Sequence, residues 1–182
     1  MTDLPARPFA AFDGPALLAS GTREDVALAV KRALDGGARG PVLAFDGEGR
    51  QIDFDIRGSE AEVLARIAPP PPEPRGRGRP KLGVVAREVT LLPRHWDWLA
   101  TQPGGASVAL RKLVEHARGG DQDRRRAGRD AAYRFGSAMA GDLPNFEDAM
   151  RALYAGDGGR LRELAAAWPA DVRGHLLSLL EA

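Results

Sequence analysis

Five prolines within residues 69 to 74 constrain this chain more than any other feature. Proline lacks a backbone N–H and fixes φ, so Pro69 to Pro72 and Pro74 can neither join a sheet nor extend a helix. Arg75-Gly76-Arg77-Gly78-Arg79-Pro80-Lys81 continues the stretch with charge and backbone freedom. The pattern predicts a boundary there. Residues 1–68 are expected as a small α/β domain, 69–82 as a Pro/Arg-rich linker and arm, 83–118 as a strand-helix-helix module and 119–182 as a helical domain. The expected fold class is α+β.

The first segment carries local signals for a ββαββα order. Phe9 to Phe12 and Leu17 to Ala19 flank Asp13-Gly14-Pro15, which is turn chemistry, so a hairpin is expected. Thr22 can cap a helix with Val26, Ala29, Val30 and Ala33 at helical spacing, and Gly36-Gly37 stops it. A second hairpin is predicted from Val42 to Phe45 and from Gln51 to Ile56, around Asp46-Gly47-Glu48-Gly49. Ile52, Phe54 and Ile56 alternate there with Asp53 and Asp55. Ser59, with Glu62 three residues later, forms a capping box for a short helix through Ile67.

Beyond the linker, Val84 to Leu92 reads as a strand that ends at Pro93, and Arg94 to Ala100 as a short helix. Trp96 and Trp98 cannot both face one core at a spacing of two; Trp96 is expected inside with Leu99, and Trp98 at a domain or dimer contact. Gln102-Pro103-Gly104-Gly105 breaks the helix. A second one from near Ser107 places Ala109, Leu110, Leu113, Val114 and Ala117 on one face. One strand and two helices cannot close a core, and the same strand from a second copy is the most economical partner. Helices are predicted over Asp121 to Ala140, Asn145 to Ala155, Gly159 to Ala167 and Pro169 to Leu180, packed as antiparallel neighbours.

The formal charge of +1 conceals an uneven distribution. Residues 1–68 carry 8 basic and 11 acidic side chains, residues 69–129 carry 13 and 6, and residues 130–182 carry 5 and 8. A basic middle between acidic ends can attract a polyanion whatever the average says. Of the basic residues 23 are Arg and 3 are Lys; arginine's forked donors suit phosphate and guanine, although genome composition also produces such a bias. With no cysteine, disulfides, thiolate nucleophiles and cysteine-ligated metals are excluded. No secretory leader or membrane-length apolar run is legible, so a cytoplasmic chain without a membrane partner is expected.

The run Arg87-Glu88-Val89-Thr90-Leu91-Leu92-Pro93, then Arg94-His95-Trp96-Asp97-Trp98-Leu99, then Gly104-Gly105-Ala106-Ser107-Val108-Ala109-Leu110-Arg111-Lys112-Leu113-Val114 resembles the ribbon-helix-helix DNA-binding module. The resemblance implies a homodimer whose paired strands enter the major groove, with a phosphate held at the start of the second helix. It places Arg87, Val89, Leu91, Arg94, Gly104, Gly105, Ser107 and Arg111 at the DNA. Val89, Thr90, Leu91, Leu92, Trp96, Leu110, Leu113 and Val114 fall at the dimer contact. Taking Leu92 as buried makes Thr90 and Glu88 buried as well and turns Arg87, Val89 and Leu91 to the groove. Only Arg87 is a natural base reader; Val89 and Leu91 either touch thymine methyls or pack on protein.

Arg77-Gly78-Arg79-Pro80-Lys81 is similar to the AT-hook core, which implies a minor-groove arm including Arg75, Arg77, Arg79 and Lys81. The alternative is a solvated linker. The whole chain also resembles a family of uncharacterised bacterial proteins sharing the GRPKLGVVAREVTLLPRHW block.

Catalysis has little footing. His95, His116 and His175 lie in three predicted helices without a metal-ligand spacing and read as helix-surface residues. Asp46, Glu48, Asp53 and Asp55 read as the wet side of a sheet and its turn rather than a cation or acid/base site. Arg124 to Arg126 read equally as a phosphate surface or a solvated helix start. The expectation is therefore a bacterial DNA-binding homodimer, a transcriptional regulator with no cofactor, no metal and no catalytic residue. The rival is a dimeric protein-interaction or antitoxin-like protein that takes a protein partner through its acidic terminal domains.

Overall fold

The computed structural model describes residues 7–68, 85–118 and 120–181. Gly14 and Pro15 reverse the chain between β1 (Phe9–Asp13) and β2 (Ala16–Gly21), with Gly14 at φ +55°, a conformation that favours glycine. The Asp13 carboxylate accepts the Arg39 and Gly40 N–H groups at 3.0 and 2.6 Å, which ties this turn to the approach of β3 (Val42–Phe45). Including β4 (Gln51–Ile52), the strands run β2-β1-β3-β4, each pair antiparallel.

Helix α1 (Arg23–Asp35) starts on the expected cap: Thr22 accepts the Asp25 N–H while Asp25 bonds back to Thr22. Helix α2 (Glu60–Ile67) repeats the device with Ser59 and Glu62. Both boxes satisfy backbone donors that a helix start leaves orphaned. The ββαββα order of this segment is as expected, but β4 is shorter. It ends at Ile52 instead of Ile56, although Phe54 and Ile56 stay half-buried and Asp53 and Asp55 exposed. Side-chain alternation outlasts the ladder because these apolar groups still pack toward α1 and α2.

The four later helices are α5 (Asp121–Met139), α6 (Phe146–Ala155), α7 (Gly158–Leu164) and α8 (Ala170–Glu181), within a few residues of their predicted spans. They do not form a bundle of their own. The sheet has two covered faces: Ala11 and Ala44 meet Val26 and Val30 of α1, whereas Ala10, Phe12 and Phe45 join Ala131, Ala132, Phe135, Leu161, Val172, Leu176 and Leu179. The expected four-part division thus differs from the compact units observed. Residues 1–68 and 124–182 make one unit, and residues 69–123 make a second. The expected linker, residues 69–82, lies outside the described residues, and composition gave no sign that chain segments on either side of it fill a common core, because burial partners far apart in sequence leave no local pattern.

Close approaches fix α5 on the sheet and on α8. A Cβ on Gly49, which has φ +71°, would overlap the Ala131 carbonyl oxygen, and one on Gly128 would stand 2.9 Å from that of Leu179. Arg134 donates to the Glu48 carbonyl at 3.0 Å, holding the β3–β4 turn against the same helix. His175 is the largest departure from expectation in this unit. Read as a surface residue, it is 7% exposed and contacts the Phe12 and Phe135 rings edge-on. On the helix that carries it, exposed Asp171 and Ser178 and buried Val172 and Leu179 all stand three or four residues away, so spacing places His175 at the border of two faces and does not settle its side.

Candidate functional site

In the second unit, α3 (Pro93–Ala100) begins with Leu92 as an N-cap that offers no side-chain acceptor and with Pro93 in its first turn, a position where proline's missing N–H is no loss. It ends at Thr101, whose hydroxyl donates to the Trp98 carbonyl at 2.7 Å. Gly104 and Gly105, at φ +85° and +75°, then turn the chain into α4 (Gly105–Arg118). The Val108 side chain crowds Gly104, while nothing lies near a Cβ on Gly105, so the second glycine is needed for its backbone angle alone.

Only Leu99 and Ala109 are buried among the described residues of this unit. Leu91, His95, Trp98, Leu99, Leu110 and Leu113 line a groove of about 270 Å³. In the same unit Val85, Val89, Leu92, Trp96, Trp98, Leu113 and Val114 stand exposed, from 41% at Trp96 to 75% at Val85. Trp96 therefore does not enter a core with Leu99 as expected. The α3 residues that line the groove are His95, Trp98 and Leu99, at helical spacing; of these only Leu99 is buried, and Trp98 is 51% exposed.

The expected strand is absent as well. Residues 85–92 carry no regular secondary structure, and Val84 lies outside the described residues. A strand needs a ladder partner, and none is present for this segment among the described residues. Its parity is also reversed. Leu91 is half-buried over the groove and Leu92 is 49% exposed, because an unladdered segment settles its side chain on the apolar faces of α3 and α4.

The other expected contact residues fall as follows. Arg87, Val89, Thr90, Arg94, Ser107 and Arg111 are exposed, Leu110 is half-buried, and Gly104 and Gly105 occupy the turn. The Arg111 Nε donates to the Ser107 carbonyl at 3.1 Å, which aligns its guanidinium along the first turn of α4. Arg75, Arg77, Arg79 and Lys81 lie outside the described residues. His95 was missed as a groove wall. Its signal was available, since it precedes Leu99 by one helical turn.

The carboxylates near β4 are engaged in turn chemistry. Burial works to raise the Asp46 carboxyl, but the Arg50 backbone and guanidinium and the Glu48 N–H hold it below the ordinary carboxylate range. Asp55 is lowered further by a two-pronged bond from Arg57, whose Nε and Nη2 donate at 2.8 and 2.7 Å. Both act as ionised anchors of their loops. Among the described residues no three of His, Asp and Glu converge to hold a metal, and no helix is long and apolar enough to cross a membrane.

The chain is thus an α+β protein with one well-filled unit and a second that leaves much of its apolar surface uncovered. Over residues 8–180 it matches the family described as an uncharacterized protein conserved in bacteria (DUF2239), and it belongs to that family. No curated protein and no solved structure matches it.

Proposed function

We propose that the protein is a homodimeric DNA-binding protein acting as a transcriptional regulator, with residues 83–118 as the dimer and groove-contacting module and residues 75–81 as a minor-groove arm. One observation carries the reading. Seven of the eleven exposed large apolar side chains among the described residues fall between Val85 and Val114, in a unit with two buried residues. An apolar surface so concentrated requires a cover, and a second copy supplies both the cover and a ladder partner for residues 84–92. Arg87, Arg94, Arg111 and Lys112 stand exposed in the same module, and none is in an ion pair among the described residues. That leaves their charge free for phosphate. The helix-turn-helix order of α3 and α4 and the Gly104-Gly105 turn before α4 support the same arrangement.

Size measurement by light scattering and electrophoretic shift on AT-rich and mixed duplexes test it together. The expected result is a dimer that binds both duplexes with a steep salt dependence. Arg87→Ala and Arg94→Ala, each deleting the cation opposite one phosphate, should each make the salt slope shallower by about 1. Arg77→Ala with Arg79→Ala should remove the AT-rich preference and leave the dimer intact. A dimer that shifts no duplex at any salt would overturn the DNA reading in favour of the protein-interaction one, and a monomer would overturn both.

A further inference from the structure

We propose that His175 is an acid-sensitive latch that fastens α8 to β1 and α5, so that protonation of its imidazole loosens the joint core of the first unit. The site is geometric before it is electrostatic. The imidazole lies with its centroid 4.6 Å from the Phe135 ring and 5.6 Å from the Phe12 ring, meeting both edge-on. Its Nε2 is buried and has no hydrogen-bond partner. Three elements from distant parts of the chain meet at this one ring, and two of them meet it with aromatic carbon.

No nearby charge is arranged to receive an imidazolium. Asp13 at the end of β1 accepts from the Arg39 and Gly40 amides, and Asp171 on α8 accepts the Leu17 N–H at 2.9 Å. On α5, Arg129 and Arg134 donate to the Tyr154 and Glu48 carbonyls, and Asp130 bears on the Tyr154 phenol. Arg173 on α8 donates to the Ala166 carbonyl. From α6 and α7, Asp148 pairs with Arg151, Glu163 with Arg160, and Arg162 with Glu181. Desolvation alone therefore acts on His175, and it pushes the imidazole down from 6.5 to about 4.

Above about pH 6.5 the imidazole is neutral in folded and unfolded chains alike, and the residue is indifferent to pH. Between 6.5 and about 4 only the unfolded chain takes up the proton, so stability falls as pH falls. Below that the folded state is protonated too, with a buried unpaired cation, and the loss is complete. The full shift corresponds to a decrease of roughly 300-fold in the folded-to-unfolded ratio.

The test follows the full chain from pH 7.5 to 4 by urea unfolding, by hydrogen exchange corrected for intrinsic rates, and by imidazole NMR. His95→Gln and His116→Gln, both at exposed positions, assign the remaining resonance to His175. His175 should stay neutral to about pH 4, and protection over residues 170–181 should drop as the pH passes 5. His175→Phe should remove most of the acid loss that the native chain suffers, and His175→Gln serves if the larger ring does not fold. An imidazole that titrates near 6.5, unchanged exchange over α8, or equal acid loss in native and substituted chains would each overturn the latch. The NMR titration needs no substitution at 175 and decides the question if both variants fail to fold.

Discussion

The two units carry apolar residues to similar effect in sequence and to opposite effect in structure. In the first, Phe12, Phe45 and Phe135 are fully buried, with ring centroids 5.0 to 6.2 Å apart, and Trp168 is anchored by its indole N–H on the Pro144 carbonyl. In the second, Trp96, Trp98, Leu113 and Val114 face outward. The difference lies in layering. A sheet between two helical layers covers both faces of β1 and β3, whereas a pair of short helices has one shared side and leaves the rest of each stripe bare. Burial of the aromatic cluster is thus complete within the first unit, and burial is left incomplete among the described residues of the second.

The strongest way to break that contrast is Phe135→Ala. It removes a ring from the centre of the aromatic cluster and should cost about 3–5 kcal/mol in urea unfolding. A decrease below about 1 kcal/mol would show that the cluster is loosely filled. Gly49→Ala should follow, at about 3 kcal/mol, since it adds both left-handed backbone strain and an overlap with the Ala131 carbonyl. The matching change in the second unit, Gly104→Ala, meets only the Val108 side chain and should cost about 1–2 kcal/mol, so the pair measures how rigid each surrounding is. Thr22→Ala, which deletes one capping hydroxyl, should cost about 1 kcal/mol in thermal or urea unfolding. Smallest in stability is Leu113→Ser with Val114→Ser. Unfolding of the first unit should change by no more than about 0.5 kcal/mol, while light scattering should report a monomer. A fall in first-unit stability there would end the separation of roles.

Much of the local structure was legible because its causes are local. A capping box is a four-residue device, and Thr22 with Asp25 and Ser59 with Glu62 are found where their residue types place them. The Gly14-Pro15 turn and the helix stop at Gly36 are equally self-contained. What escaped depends on the far side of a contact. Ile56 keeps its alternation without a ladder neighbour, His175 is polar in type and buried by Phe12 and Phe135, and α5 looks solvated at its arginine-rich start while Gly128 and Gly136 let α8 approach it closely. In the candidate site the apolar stripe of α4 was legible, including Leu110, Leu113 and Val114. The choice between Trp96 and Trp98, and between Leu91 and Leu92, was not. A spacing defines a stripe only up to the direction of its covering partner.

The division of the first unit into residues 1–68 and 124–182 also has a consequence for biosynthesis. Phe12 and Phe45 leave the ribosome long before Phe135 and His175 exist to cover them. At roughly 5–20 residues per second the nascent sheet carries that bare aromatic face for on the order of ten seconds. Lengthening the intervening segment adds little to the equilibrium cost of closure, about 0.6 kcal/mol per doubling, but it prolongs the wait in direct proportion. Slower translation through residues 69–123 therefore lengthens the time for which this aromatic face waits for its cover.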